Sequence, residues 1–169
     1  MLVRRQGNII LSKHKLAKGN VIENTNWAKD IYAESPWDEI VVDATGSTGV
    51  ADLIEQWGNQ NKQFETIKWN ASRRSRNPVK YSNARTESWG RMRDWLRNGG
   101  QLNNDACWDE MSLIEFKYTS KEQVALESKS SMKKSPDDID ALAMSMWLND
   151  EEKIVSAPYS HQSYGGFAG

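Results

Sequence analysis

The chain has 169 residues, 38% of them apolar and 27% charged, with a formal net charge of −1, which suits one folded domain with a real core. Its single cysteine, Cys107, excludes a disulfide framework and a cysteine zinc site and fits a reducing compartment. No apolar run approaches membrane-spanning length, and the N-terminus does not read as a signal peptide.

In chain order, Leu2–Gln6 and Ile9–His14 flank Gly7-Asn8, a hairpin signal. A helix is predicted from about Glu23 to Glu34, burying Trp27, Ala28, Ile31 and Tyr32, and Pro36 ends it. Glu39–Ala44 reads as a buried strand with Asp43 at its C-terminal end. The turn Thr45-Gly46-Ser47-Thr48-Gly49 leads into a helix with Val50, Leu53, Ile54 and Trp57 on one face, and Phe64–Trp69 is a further strand. Residues 70–83 are a polar, basic loop, followed by a helix from Ala84 to Leu96 that Asn98-Gly99-Gly100 stops. A short helix over Asp105–Ser112 and a small hairpin, Ile114–Tyr118 with Gln123–Leu126, come next. Strand–helix alternation around a hairpin predicts an α/β domain with a mixed sheet.

The last element carries the most chemistry. In Ser135-Pro136-Asp137-Asp138-Ile139-Asp140-Ala141-Leu142, Ser135 reads as an N-cap, Pro136 as the first helical residue, and Ser135 with Asp138 as a capping box. Ile139, Leu142, Ala143, Met146 and Trp147 form one apolar stripe. Asp140 lies at its edge, Asp137 further round the same side, and Asp138 on the opposite side, facing solvent. All three acids favour a helix N-terminus, which explains Asp137 and Asp138 well and Asp140 poorly. Carboxylates from a strand end and a helix start suit a hard divalent cation, so Asp43, Asp137 and Asp140 are expected to converge.

Charge is segregated. Lys68–Arg97 holds nine basic residues against Glu87 and Asp94, a net of about +7 that leaves about −8 for the remainder. Such a stretch is either a phosphate-binding face or a solvated surface. The glycines after Asp43 make a tight turn without the lysine of a P-loop. Trp27, Trp57 and Trp147 sit on apolar helical faces and read as core, Trp89 and Trp95 are open to either reading, and Cys107 reads as a buried thiol.

Val41-Val42-Asp43-Ala44-Thr45-Gly46, Asn83-Ala84-Arg85-Thr86-Glu87-Ser88-Trp89, Leu126-Glu127-Ser128-Lys129 and the Ser135–Leu142 stretch occur in this order. The set resembles the C-terminal nuclease domain of tailed-phage terminase large subunits. The resemblance implies a ribonuclease H-like mixed sheet flanked by helices, over residues 1–154, with residues 155–169 as a flexible tail. It implies an endonuclease that cuts concatemeric viral double-stranded DNA with Mg²⁺ or Mn²⁺ at a two-metal site. Asp43, Asp140 and Asp137 would be catalytic and metal-binding, while Arg73, Arg74, Arg76, Lys80 and Arg85 would hold the DNA backbone. The implied partners are the terminase ATPase domain, the small terminase and the portal, in the host cytoplasm and off the membrane. In that family the first aspartate lies on a strand before the hairpin, so the chain is expected to lack its first strand and to cleave poorly alone. A Holliday-junction resolvase-like nuclease and a non-catalytic prophage remnant that binds DNA or partner proteins are the rival readings.

Overall fold

A computed structural model describes residues 1–128, 132 and 135–148. Lys129 and the expected tail 155–169 lie outside the described residues.

β1 (Leu2–Gln6) and β2 (Ile9–His14) form an antiparallel hairpin, with Gln6 opposite Ile9 and Gly7 at a positive φ of 54°, which glycine adopts without steric cost. α1 (Val21–Glu34) begins two residues before its expected start. Asn20 caps it: the Asn20 side chain accepts from the Glu23 backbone N–H at 3.0 Å, and Glu23 accepts from the Asn20 N–H at 2.9 Å. This reciprocal capping box satisfies two orphan donors. β3 (Glu39–Asp43), α2 (Gly49–Asn61) and β4 (Glu65–Trp69) make a βαβ unit whose parallel ladder runs from Glu39 opposite Glu65 to Asp43 opposite Trp69. α3 (Ala84–Arg97), a 3₁₀ segment at Ala106–Leu113, and the short antiparallel pair β5 (Phe116–Tyr118) and β6 (Val124–Leu126) follow. α4 (Asp137–Met144) tightens into a 3₁₀ turn at Ser145–Trp147.

The start of α4 differs from expectation. Pro136, not Ser135, is the N-cap, and no side chain caps the helix. The Ser135 hydroxyl donates instead to the Asp137 carboxylate at 2.5 Å, so it does not serve the backbone. The sheet is also divided among the described residues: β1 pairs with β2, β3 with β4 and β5 with β6, with no ladder joining the pairs.

Side-chain alternation along β3 separates two apolar layers. Ile40 and Val42 pack with Ala28, Ile54, Phe64, Val50 and Trp57, under α1 and α2. Val41 packs on the other side with Trp69, Ala84, Met144 and Trp147, against α3 and α4. Asp43 shares the parity of Val41 and so belongs to the α4 side. A third cluster joins Ile10, Trp89, Met92, Trp108, Leu126, Ile139, Leu142, Ala143 and Met146. The stripe read from α4 is buried throughout, from 0% exposure at Ile139 and Leu142 to 3% at Met146. Trp147, at 2%, is core, and Trp57 joins the α1–α2 cluster at partial burial. Gly90 is fixed by packing, since a Cβ there would run into the Tyr81 ring.

Leu142→Ala should therefore lower stability by about 2–5 kcal/mol, because α3 and α4 meet at that fully buried side chain. Urea unfolding at neutral pH measures it. A loss under about 1 kcal/mol would mean that α4 is not docked as described.

Candidate functional site

The carboxyl ends of β3 and β4 lie side by side, the usual place for ligands in open α/β sheets. Asp43 ends β3 and is exposed. Its carboxylate accepts from the Thr45 backbone N–H at 2.8 Å, a local bond that closes the turn in the way short acidic side chains commonly do. The turn is tied to the chain leaving β4: the Ala44 N–H donates to the Trp69 carbonyl at 2.7 Å, and the Ala71 N–H to the Thr45 hydroxyl at 2.9 Å. The basic loop thus departs from beside Asp43.

Asp140 is buried, 7% exposed. Burying a carboxylate is costly unless donors compensate it. Here the Trp89 indole N–H donates to Oδ1 at 2.7 Å and Arg85 Nε at 3.1 Å. Arg85 and Trp89 are four residues apart and so share one face of α3. A second nitrogen of Arg85 donates to the Glu127 carbonyl at 3.1 Å. Arg85, expected among the DNA contacts, is thus only 9% exposed and faces Asp140 instead of the exposed loop. Trp89 resolves as a buried partner of Asp140. Neither assignment had a distinctive sequence signal beyond the spacing of Arg85 and Trp89.

Asp43, Asp137 and Asp140 line one cavity of about 660 Å³ between β1, β3, α1 and α4, and Asp138 does not. Asp138 nevertheless does not face open solvent. Its side chain is 13% exposed and lies 3.6 Å from Lys13 Nζ and 3.5 Å from Lys15 Nζ. The cause is the end of β2, where Lys13 and the following Lys15 lie beside Asp138 in the first turn of α4. Asp137 is exposed. The donors are of the oxygen type that Mg²⁺ or Mn²⁺ prefers. Among the described residues, however, no three carboxylates, imidazoles or thiols are grouped closely enough to enclose an ion.

The basic loop has an anchor that the sequence did not advertise. Glu87 is 1% exposed and accepts from Ser75 Oγ at 2.7 Å, the Arg76 N–H at 2.6 Å and Arg91 at 2.8 and 3.0 Å. Burial pushes its pKa up, but the bonds from Ser75, Arg91 and the Arg76 backbone outweigh burial and bring it below its ordinary value. Arg73, Arg74, Arg76 and Lys80 are exposed. The Arg76 guanidinium stacks on Trp147 at 4.4 Å from the ring centre, with Arg91 at 5.7 Å. Lys80 lies 4.0 Å from Asp94.

The arrangement is a ribonuclease H-like α/β fold with helices flanking small sheets. More particularly, it superposes on the nuclease domain of the large terminase subunit gp2 of bacterial virus Sf6. The unmutated domain gives a TM-score of 0.70 at 16% identity, covering 85% of this chain and 80% of that one. A lysine-to-alanine mutant of that domain with manganese gives 0.70 at 17%, covering 85% and 81%, and one with calcium gives 0.72 at 16%, covering 85% and 80%. No family model and no curated protein matches the sequence.

A depressed Glu87 pKa has a signed consequence. Its folded value lies below the unfolded one, so its stabilisation is present above the ordinary value of 4.5 and is lost as pH falls through the folded value. Unfolding measured between pH 7 and pH 3 should show wild type more stable than Glu87→Gln at neutral pH, with the gap closing in acid. A pH-independent gap would contradict the assignment.

Proposed function

We propose that this chain is a metal-dependent DNA endonuclease domain of a phage packaging terminase, acting on concatemeric viral double-stranded DNA in the host cytoplasm. The observation that carries the reading is the common cavity of Asp43, Asp137 and Asp140 at the carboxyl edge of β3. The fold likeness to a terminase nuclease domain, and the manganese and calcium in two of those structures, support it. Among the described residues no helix is long and apolar enough to cross a membrane.

Asp43 and Asp140 would hold Mg²⁺ or Mn²⁺, with Asp137 assisting. Mg²⁺ commonly keeps several waters and uses one or two carboxylates, which suits a set in which three do not close on one ion. The ion would lower the pKa of a bound water and offset charge on the leaving oxygen. Trp89 and Arg85 orient Asp140 and balance its charge when the site is empty. Arg73, Arg74, Arg76 and Lys80 hold phosphates without reading sequence, and Glu87 and Trp147 fix the shape of that loop. Partners on this reading are the terminase ATPase domain, the small terminase and the portal.

The exposed Arg73, Arg74, Arg76 and Lys80 suit equally a second reading, a DNA-binding domain that does not cut. Plasmid nicking separates the two. With Mg²⁺ or Mn²⁺ the chain should nick slowly, and EDTA, Asp43→Asn or Asp140→Asn should each reduce the rate by at least about 100-fold. DNA binding with no metal-dependent nicking would replace the first reading by the second.

The loop gives a separate expectation. Replacing Arg73, Arg74, Arg76 and Lys80 together with alanine should weaken duplex binding alike for all sequences. It should also flatten the salt dependence by about 0.9 per lost phosphate contact. Fluorescence anisotropy across a salt series measures both, and an unchanged slope would return the loop to an ordinary solvated surface.

A further inference from the structure

Asp140 Oδ1 accepts from two donors that differ in charge. The Trp89 indole N–H, at 2.7 Å, is neutral, whereas Arg85 Nε, at 3.1 Å, belongs to a guanidinium. The Arg85 and Asp140 side chains are 10% and 9% exposed, so water and salt screen this pair weakly. Asp140 shares a cavity wall with Asp43 and Asp137, and Arg85 is not part of that wall. It reaches the carboxylate from α3, behind the cavity. Its bond to the Glu127 carbonyl meets no net charge, and Asp140 is the one acid with which it pairs among the described residues.

The two donors therefore act alike as hydrogen bonds and differently as charges. Both hold Asp140 in one orientation. Only Arg85 cancels its charge and repels a divalent cation on the far side of the carboxylate, and charges a few ångströms apart interact strongly where water is excluded. The attraction offered to a cation then comes mainly from Asp43 and Asp137, which are exposed and so weakened by solvent. Among the described residues no three acids close on one ion, which leaves no tight cage to offset that repulsion.

We propose that Arg85 is a positioning residue that opposes the cation at Asp140: it orients the carboxylate while keeping affinity for a divalent ion low until the phosphates of a bound duplex supply further negative charge. The inference rests on the nuclease reading and deepens it, because metal loading becomes conditional on nucleic acid. By linkage, the factor by which a duplex raises affinity for the ion is the factor by which the ion raises affinity for the duplex. If Arg85 served only to hold Asp140 in place, its loss would weaken ion binding. On the proposal its loss strengthens it.

Titration calorimetry of Mn²⁺ into the purified 169-residue chain reads that sign, at about pH 7.5, where a carboxyl without its guanidinium stays ionised. Arg85→Gln should bind Mn²⁺ about tenfold or more tightly than wild type. Arg85→Lys, which keeps the charge, should stay near wild type, and Trp89→Phe, which removes the neutral donor, should bind no more tightly. Equal or weaker binding by Arg85→Gln would overturn the proposal. So would tightening of the same size in Arg85→Lys or Trp89→Phe. If Arg85→Gln fails to fold, the wild-type chain decides through fluorescence anisotropy of a duplex. Exchanging Na⁺ for Ca²⁺ at equal ionic strength should tighten duplex binding by about tenfold, against the usual weakening by competing cations. Unchanged or weaker duplex binding would overturn the proposal. Absence of Mn²⁺ binding by every form, with and without duplex, would overturn the metal-dependent reading together with it, whereas failure of the Arg85→Gln sign alone leaves that reading standing.

Discussion

A carboxylate buried to 1% exposure must be satisfied by donors or it will not stay charged. Glu87 meets that requirement from three directions, through Ser75, the Arg76 backbone and Arg91. The same bonds determine where the basic loop sits. Two residues to either side of it, Arg85 and Trp89 turn the other side of α3 toward Asp140. α3 is thus a polar axle inside an apolar domain: one side fixes the loop and another fixes the acid. Without a compensated Glu87, the backbone at Arg76 loses the bond that places its side chain over Trp147.

Much of the fold was legible because its signals are periodic. The apolar stripe of α4, the hairpin around Gly7 and the Asp43 strand appear where the pattern put them. What escaped was set by partners distant in sequence. Asp138 was assigned to solvent from helical geometry alone, and only the packing of β2 brings Lys13 and Lys15 to it. Arg85 looked like one more cation in a basic stretch, and its burial follows from Asp140, 55 residues further on. The late start assigned to α1 and the Ser135 cap on α4 failed for a local reason. Asparagine and serine side chains have several backbone and side-chain partners within reach, and the sequence does not rank them. The cavity edge of the Asp43 site could be suspected from spacing, but the division of the sheet into separate ladders could not.

The basic segment shows how far net charge misleads. Lys68 pairs with Asp52 at 2.7 Å and Glu55 at 2.6 Å, Arg91 with Glu87, Arg93 with Asp94 at 2.7 Å, and Arg85 with Asp140. With Lys80 at 4.0 Å from Asp94, five of the nine cations counted in the sequence thus lie against acids of the domain itself. Exposed pairs such as Lys68–Asp52 contribute little to stability, yet they remove charge from any field felt by a ligand. The field that remains is concentrated around Arg73, Arg74 and Arg76, beside the Asp43 turn.

The sequence distances inside the site carry a consequence for how the chain assembles. Glu87 reaches Ser75 across 12 residues, whereas Trp89 and Arg85 reach Asp140 across 51 and 55. Contacts between near neighbours in sequence close faster than distant ones, because less loop entropy is lost before they form. Asp140 is also among the last of the described residues to be synthesised. A growing chain therefore closes the Glu87 anchor of its cationic loop before its acidic pocket, and the stack of Arg76 on Trp147 that completes the loop forms only once the chain has passed Asp140.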